Sequence, residues 1–397
     1  MDNEGGISQH TAGKLFNRDF ILLFFAFFVF IAANHSLIPT LPIYFTKLGS
    51  NARQVGMLVG IWGVASLVSR FFVGGALTRY SEKSVMLFGA VLFSLTFPVA
   101  IAFSDFWPLF AVRVFQGIAF ASCYTAALAY VVNIVPLVNR GQGIAYFMLA
   151  PNFSMALAAP FGMFLINHYS FTVLFLTCTG LSVCSFFLSL KIKEQKTIHT
   201  PEVTASARNI FLPEWKVIVP ALSNFLQMVV YGALTAFVPL YALQRGVTNP
   251  GLFFAAIAVA MIAGRAFGGK ILDTYNKEKL ILILIFVSMV AMVILSFSKN
   301  LPMFILVGLL WGAGSGFFMP ACMVYALEYA GSSSGPAVGT FQAFLDLGMA
   351  LGPVTMGLIV PLTGYPTMFL CLAFICLINM GYFQFYVRRK GRAAPTI

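Results

Sequence analysis

Twelve apolar segments divide this chain, each about as long as a lipid bilayer is thick. They lie near 20–46, 54–78, 84–103, 107–134, 141–166, 171–190, 215–244, 250–272, 280–298, 301–329, 335–361 and 366–387. A helix rises about 1.5 Å per residue, so roughly 20 mostly apolar residues carry it across the hydrocarbon layer. Only 9% of the residues are charged and 60% are hydrophobic, with a mean hydropathy of +0.90. A soluble domain carries about 25% charged residues, so most of this surface faces lipid. The expected fold is an all-α membrane protein with twelve transmembrane helices.

The connections are short except for one. Residues 191–214, KIKEQKTIHTPEVTASARNIFLPE, are polar. They read as a linker between a six-helix bundle at 1–190, which includes a short N-terminal tail, and a second at 215–397, which ends in a basic tail. Lys and Arg collect on the cytoplasmic side of membrane proteins. Threading the segments with the N-terminus inside leaves four cations outside, Lys47, Arg53, Arg245 and Lys299. Arg113 falls within a span and every other Lys and Arg falls inside. Both termini and the linker are therefore expected in the cytoplasm. The first apolar run is too long for the core of a cleavable signal peptide.

The two halves also share sequence. Residues 69–87, SRFFVGGALTRYSEKSVML, align without gaps on 264–282, GRAFGGKILDTYNKEKLIL, 195 positions later. Arg70, Phe72, Gly74, Leu77 and Tyr80 fall on Arg265, Phe267, Gly269, Leu272 and Tyr275. Pro42, Tyr44 and Gly49 match Pro239, Tyr241 and Gly246, and Gln116-Gly117 aligns with Trp311-Gly312. Equal helix order and orientation make this a parallel repeat, two bundles related by a pseudo-two-fold axis along the membrane normal.

Other classes are poorly served. The net charge of +12 is dispersed in short clusters between apolar spans, which favours a topology signal over a nucleic-acid surface. The six cysteines lie in apolar runs with no CxxC pair, and His10, His35, His168 and His199 are scattered. No metal site, resident cofactor or catalytic cluster is expected, and the chain does not read as an enzyme. The glycines of WGAGSG at 311–316 follow no strand, so they form no phosphate loop. The sequence offers no nucleotide-binding domain, so ATP-driven work within this chain is not expected.

Twelve spans, a six-plus-six repeat and a polar central loop resemble the major facilitator superfamily. The repeated phrase is similar to that family's loop signature, roughly G-x-L-x-D-R-x-G-R-K. The first copy runs from Gly74 to Lys83, with Thr78 in place of the acid and Arg79 retained; the second keeps the acid as Asp273. Arg113-Val-Phe-Gln116-Gly117 resembles the R-x-x-Q-G pattern of the proton-linked drug and metabolite efflux branch. That branch's G-x-x-x-G-P-x-x-G-G motif survives in the fifth segment only as Ala159-Pro160-Phe161-Gly162. Gly348, Gly352-Pro353 and Gly357 stand in the eleventh. The resemblance implies a secondary transporter in a bacterial cell (inner) membrane, acting as a monomer on a small molecule.

Ionisable groups inside a span mark pathways or relays. Arg113 lies two turns inside the fourth segment, with Gln116, Gly117, Phe120 and Tyr124 on its helical face. It reads as a proton-relay group or an anchor for an anionic substrate group, or else as a structural arginine. Asp346 is the one carboxylate well inside a span, with Gln342 and Met349 on its face. An aspartate alternating between wet and buried settings can load and release a proton. His35, beside Asn34, is a third candidate for charge handling. Asn224, Gln227 and Tyr231 share a face of the seventh segment, and the resemblance places that face on the central cavity. The same resemblance makes Arg70, Gly74, Arg79, Arg265, Gly269, Asp273 and Glu328 elements of a cytoplasmic gate, with Asp273 a natural acidic partner. The overall expectation is proton-coupled efflux of an amphipathic drug-like compound or metabolite by alternating access. Proton-coupled uptake of a nutrient or siderophore-like metabolite uses the same scaffold and stands as the alternative.

Overall fold

The computed structural model describes residues 17–135, 139–194, 215–274, 276–330 and 334–387. The helices of the first half are α1 (Arg18–Lys47), α2 (Ala52–Ala76), α3 (Glu82–Ala102), α4 (Phe106–Ile134), α5 (Arg140–Phe147), α6 (Leu149–His168) and α7 (Phe171–Leu190). Those of the second are α8 (Trp215–Gln244), α9 (Gly251–Thr274), α10 (Lys277–Ser296), α11 (Leu301–Ala330) and α12 (Ser334–Tyr382), followed by a π-helical turn at Phe383–Val387. The described residues contain no strand.

Twelve crossings result, though two helix boundaries differ from the periodicity. The fifth span, expected as one helix over 141–166, breaks at Met148 between α5 and α6. Pro151 has no N–H to give and its ring crowds the carbonyl four residues back, at Phe147, so the ladder is interrupted there. The last two spans run on as α12, interrupted at Gly364, whose φ of 75° and ψ of 168° are non-helical. Gly364 reverses the chain, and Pro366 starts the next span without needing a hydrogen-bond partner for its nitrogen. Polar caps punctuate the short connections. Asn51 and Gln54 form a reciprocal capping box on α2, and Ser170 accepts from Val173 N on α7. These satisfy amides that hydrocarbon could not.

The buried apolar residues fall into two clusters. One is built from α1–α7 around Phe30, Phe93 and Tyr130. The other draws chiefly on α8–α12 around Tyr241, Trp311 and Phe369, with Met155 and Ala159 added from α6. Large side chains such as Phe72, Leu157 and Phe374 point outward at 61–74% exposure, as lipid contact requires.

The repeat is also present in the packing. Tyr44 donates from α1 to the Ala100 carbonyl near the end of α3 at 2.9 Å. Tyr241 donates from α8 to the Ser296 and Ser298 carbonyls at the end of α10, at 3.1 and 3.0 Å. Gly49 and Gly246, which follow α1 and α8, both adopt positive φ, 90° and 80°. Gly117 packs α4 against Trp62 and Ala65 of α2; Gly312 packs α11 against Ile257 and Ala260 of α9. A Cβ at Gly117 would stand 2.5 Å from the Trp62 carbonyl oxygen, and one at Gly312 the same distance from that of Ile257. Backbone cannot retreat as a side chain can, so Gly117→Leu is expected to destabilise the first bundle by about 1–3 kcal/mol or more. A thermal-unfolding scan of the purified variant checks this, and an unchanged midpoint would contradict it.

Two ends of the molecule can be told apart. Lys83 Nζ bonds the Leu190 and Ile192 carbonyls at 2.7 and 2.8 Å, and Tyr130 bonds the Lys193 carbonyl at 2.8 Å. Lys193 N also donates to Asp19 Oδ1 at 3.4 Å, so the starts of α1 and α3 and the end of α4 lie where the chain enters the 191–214 linker. At the opposite, far end the halves close on one another. Asn167 of α6 donates to the Thr248 carbonyl at 2.8 Å, and Gly251 of α9 sits on Ala159 and Pro160 of α6. Gly56, Gly60 and Gly63 of α2 lie against Pro353, Ala350 and Val354 of α12.

Candidate transport site

Between the two bundles is a cavity of about 230 Å³. The first bundle lines it with Asn34, His35 and Ile38 of α1, Val59 and Trp62 of α2, and Arg113 and Phe120 of α4. The second contributes Tyr231 and Thr235 of α8 and Met349 of α12. Its wall is therefore shared by both bundles.

Arg113 is only 7% exposed. Its Nε donates to the Leu58 carbonyl at 2.9 Å and one Nη to Gln116 Oε1 at 2.8 Å. Gln116 passes the chain on to Thr96 Oγ of α3 at 3.2 Å, and the guanidinium lies 5.8 Å from the centre of the Trp62 ring. This network fixes the arginine while leaving its charge with no acid partner among the described residues. His35 Nδ1 is 3.1 Å from Ser154 Oγ of α6, which orients the imidazole at the cavity wall. Tyr231 reaches across from the second bundle to the Met155 sulfur at 3.9 Å.

Below the cavity, toward the linker end, an ion pair joins the halves. Arg70 Nε of α2 approaches Asp346 Oδ2 of α12 to 2.7 Å. The N–H does not point along the contact, so charge rather than an in-line hydrogen bond holds it. The Arg70 guanidinium also lies 5.4 Å from the centre of the Tyr124 ring, and Gln342, one turn before Asp346, stands beside the same carboxylate. Tyr124 stacks on Phe120 at 5.5 Å, so aromatic rings link the ion pair to the cavity.

The structure redistributes several sequence expectations. Asn34, His35, Arg113, Phe120 and Tyr231 line the cavity. Gln116 does not: it is 1% exposed and serves Arg113 from behind, because the third helix offers Thr96 on that side. Gln227 is turned toward α10, where Ser288 Oγ accepts from its amide at 2.7 Å. Asn224 is fully buried within the second bundle, and neither end of its amide has a hydrogen-bond partner there. Tyr124 and Gln342 belong with the ion pair rather than the cavity wall. Arg70, expected as a gate residue beside Asp273, is a helical turn and a half inside α2 and pairs with Asp346 instead.

Gly74 has nothing within 4 Å of where a Cβ would stand, and Arg79 is exposed in the turn after α2. Arg265, Gly269 and Asp273 fall in α9 and Glu328 in α11, but their side chains lie outside the described residues. Sequence reasoning missed Trp62, Thr235 and Ser154. Trp62 did carry a signal, since tryptophan is commonest at membrane interfaces and this one stands mid-span. A larger groove of about 620 Å³ on the outside of α2–α4 is almost wholly apolar, lined by Val68, Phe72 and Phe88, and faces lipid.

A cavity walled jointly by two repeated helical bundles, inside a polytopic shell, is the architecture of a membrane transporter. The chain belongs to the major facilitator superfamily, whose model matches residues 23–298 and 251–396. It is 22% identical over 377 residues to the staphylopine export protein of Staphylococcus aureus (strain Mu50), covering 91% of this chain and 94% of that protein. It is 23% identical over 356 residues to the quinolone resistance protein NorA of S. aureus (strain COL), covering 86% and 89%. The multidrug resistance protein MdtG of Klebsiella pneumoniae (strain 342) is 23% identical over 379 residues, covering 91% and 92%. Among solved structures, the nucleoside transporter NupG superposes with a TM-score of 0.76 at 15% identity, over 93% of this chain and 98% of that one. That likeness concerns the fold.

Proposed function

We propose that the protein is a proton-coupled antiporter that expels a small amphipathic organic compound by alternating access. The observation that carries this reading is the Arg70–Asp346 pair, which bridges the halves on the linker side of a cavity both halves line. Protonation of Asp346 removes one charge of the pair, so a proton arriving there weakens the tie between α2 and α12. Solute in the cavity and a proton at Asp346 then favour different arrangements of the same interface, which is what coupling requires. Relatives whose names describe export or drug resistance support the outward direction. In this reading the linker end and both termini are cytoplasmic, as the cation distribution favours. The protein works as a monomer in a bacterial cell membrane and needs no resident cofactor, the proton gradient supplying the energy.

Proteoliposomes with a fluorescent amphipathic dye at equal concentration inside and out provide the test. With protein oriented as in the cell and the far side made acidic, dye is expected to build up on the acid side against its own gradient. Dye moving with protons would make the protein a symporter, and indifference to the gradient would make it a uniporter.

A further inference from the structure

We infer that the transported solute carries one anionic group, of the carboxylate kind, which seats on Arg113. This rests on the cavity being the transport site. Arg113 has five N–H groups and makes two protein hydrogen bonds, to Leu58 O and Gln116 Oε1. Three N–H groups are left for something else. The acids whose side chains are described are Asp19, Glu82, Asp105, Glu194, Glu278 and Asp346. All but Asp346 stand at helix ends or just beyond them, and Asp346 is held by Arg70. Arg113 is thus a cation in the middle of the bundle with no acidic partner among the described residues.

A buried charge is costly unless it is paired and hydrogen-bonded. Carbonyls and a tryptophan face reduce that cost without cancelling the charge. The guanidinium fork matches the two oxygens of a carboxylate, and such charge-assisted pairs are stronger than neutral hydrogen bonds. The Trp62 ring, which lines the cavity, lies against the guanidinium, its centre 5.8 Å from the guanidinium carbon. The open N–H groups of Arg113, no carboxylate among the described lining residues and a wall of Phe120, Tyr231 and Met349 suit an anion carried on an aromatic or aliphatic body. A solute with a lone ammonium would meet like charge from Arg113 and no acid to receive it.

The test uses the purified full-length protein in lipid nanodiscs with 1-naphthaleneacetate, ionised at neutral pH, and its neutral isostere 1-naphthaleneacetamide. Binding is measured by equilibrium dialysis. In the unmodified protein the acid should bind about 10- to 100-fold more tightly than the amide, the range of one charge-assisted contact. Arg113→Gln should bring the acid down to the amide's affinity, while Arg113→Lys keeps part of the preference. The ratio in unmodified protein stands even if a variant fails to fold. Equal affinities, no acid binding at millimolar concentration, or a preference unchanged in Arg113→Gln would each overturn the inference. Tyr231→Ala, on the facing bundle, separates the two readings. If acid and amide bind equally but both weaken in it, the transport-site reading stands and the anion inference falls. If Tyr231→Ala moves neither, the cavity is not the binding site and both fall.

Discussion

Asp346→Asn is expected to abolish pH-driven transport while leaving expression and solute binding near normal. Asn has almost the same shape but no charge to hold Arg70 and no proton to exchange. Removing one member of a buried ion pair costs about 3–5 kcal/mol, because the other charge is stranded. Arg70 is 20% exposed, so water recovers part of that, and about 2–3 kcal/mol is expected. This moves the equilibrium between the paired and separated arrangements about 30- to 150-fold toward separation. Net flux under a pH gradient should fall to background, while solute exchange without a gradient continues. The two activities are measured in the same proteoliposomes. Arg70→Asp/Asp346→Arg, which restores the pair reversed, keeps a carboxylate that can take a proton and release the pair, so it should recover part of the coupling that Asp346→Asn loses. Unchanged gradient-driven flux in Asp346→Asn would remove this carboxylate from the mechanism.

The second large effect is expected at the far end. Gly60 of α2 lies so close to α12 that a Cβ there would stand 2.5 Å from the Ala350 carbonyl oxygen and 2.7 Å from Val354 Cγ2. Gly60→Leu leaves each bundle its own core but prevents the halves from meeting. Overpacking of this kind costs about 1–3 kcal/mol, or about 5- to 150-fold in the population with the far end closed. Transport should fall by at least about tenfold, and the cavity should open more often to the far side. Labelling of Asn34→Cys by a membrane-impermeant maleimide, in a background without the native cysteines, reads this directly. Faster labelling from the far side is the expected outcome; unchanged labelling with full transport would show that the glycine contact is incidental. The predictions are opposite in kind: Asp346→Asn loosens the linker side, and Gly60→Leu wedges the far side.

Much of the fold could be read from the chain because the bilayer reduces the choice of structure. Apolar runs of bilayer length must become helices, and Lys and Arg placement suggests how they thread. The repeat could be read too, and its glycines proved to be contacts: Gly117 and Gly312 occupy the same place between equivalent helices. The candidate site was legible where burial alone was diagnostic. Arg113 and Asp346 are conspicuous because a charge mid-span demands an explanation. Neutral polar residues were not sorted by that test. Asn224, Gln227 and Tyr231 share a helical face, yet only Tyr231 reaches the cavity. A helical face about 100° wide meets more than one neighbour, and sequence spacing does not say which.

What the sequence by itself determined is the helical class, the two-fold repeat and which charges are out of place, because hydrocarbon forbids unpaired backbone and penalises charge at every position alike. What only the tertiary structure decided is who meets whom. Arg70 could have anchored at the headgroups or paired with Asp273; packing of α2 against α12 gives it Asp346. Arg113 could have had a counter-ion; instead it faces a cavity with a tryptophan and no acid. Those pairings join residues far apart in the chain, and they depend on how two bundles dock, which no local pattern records.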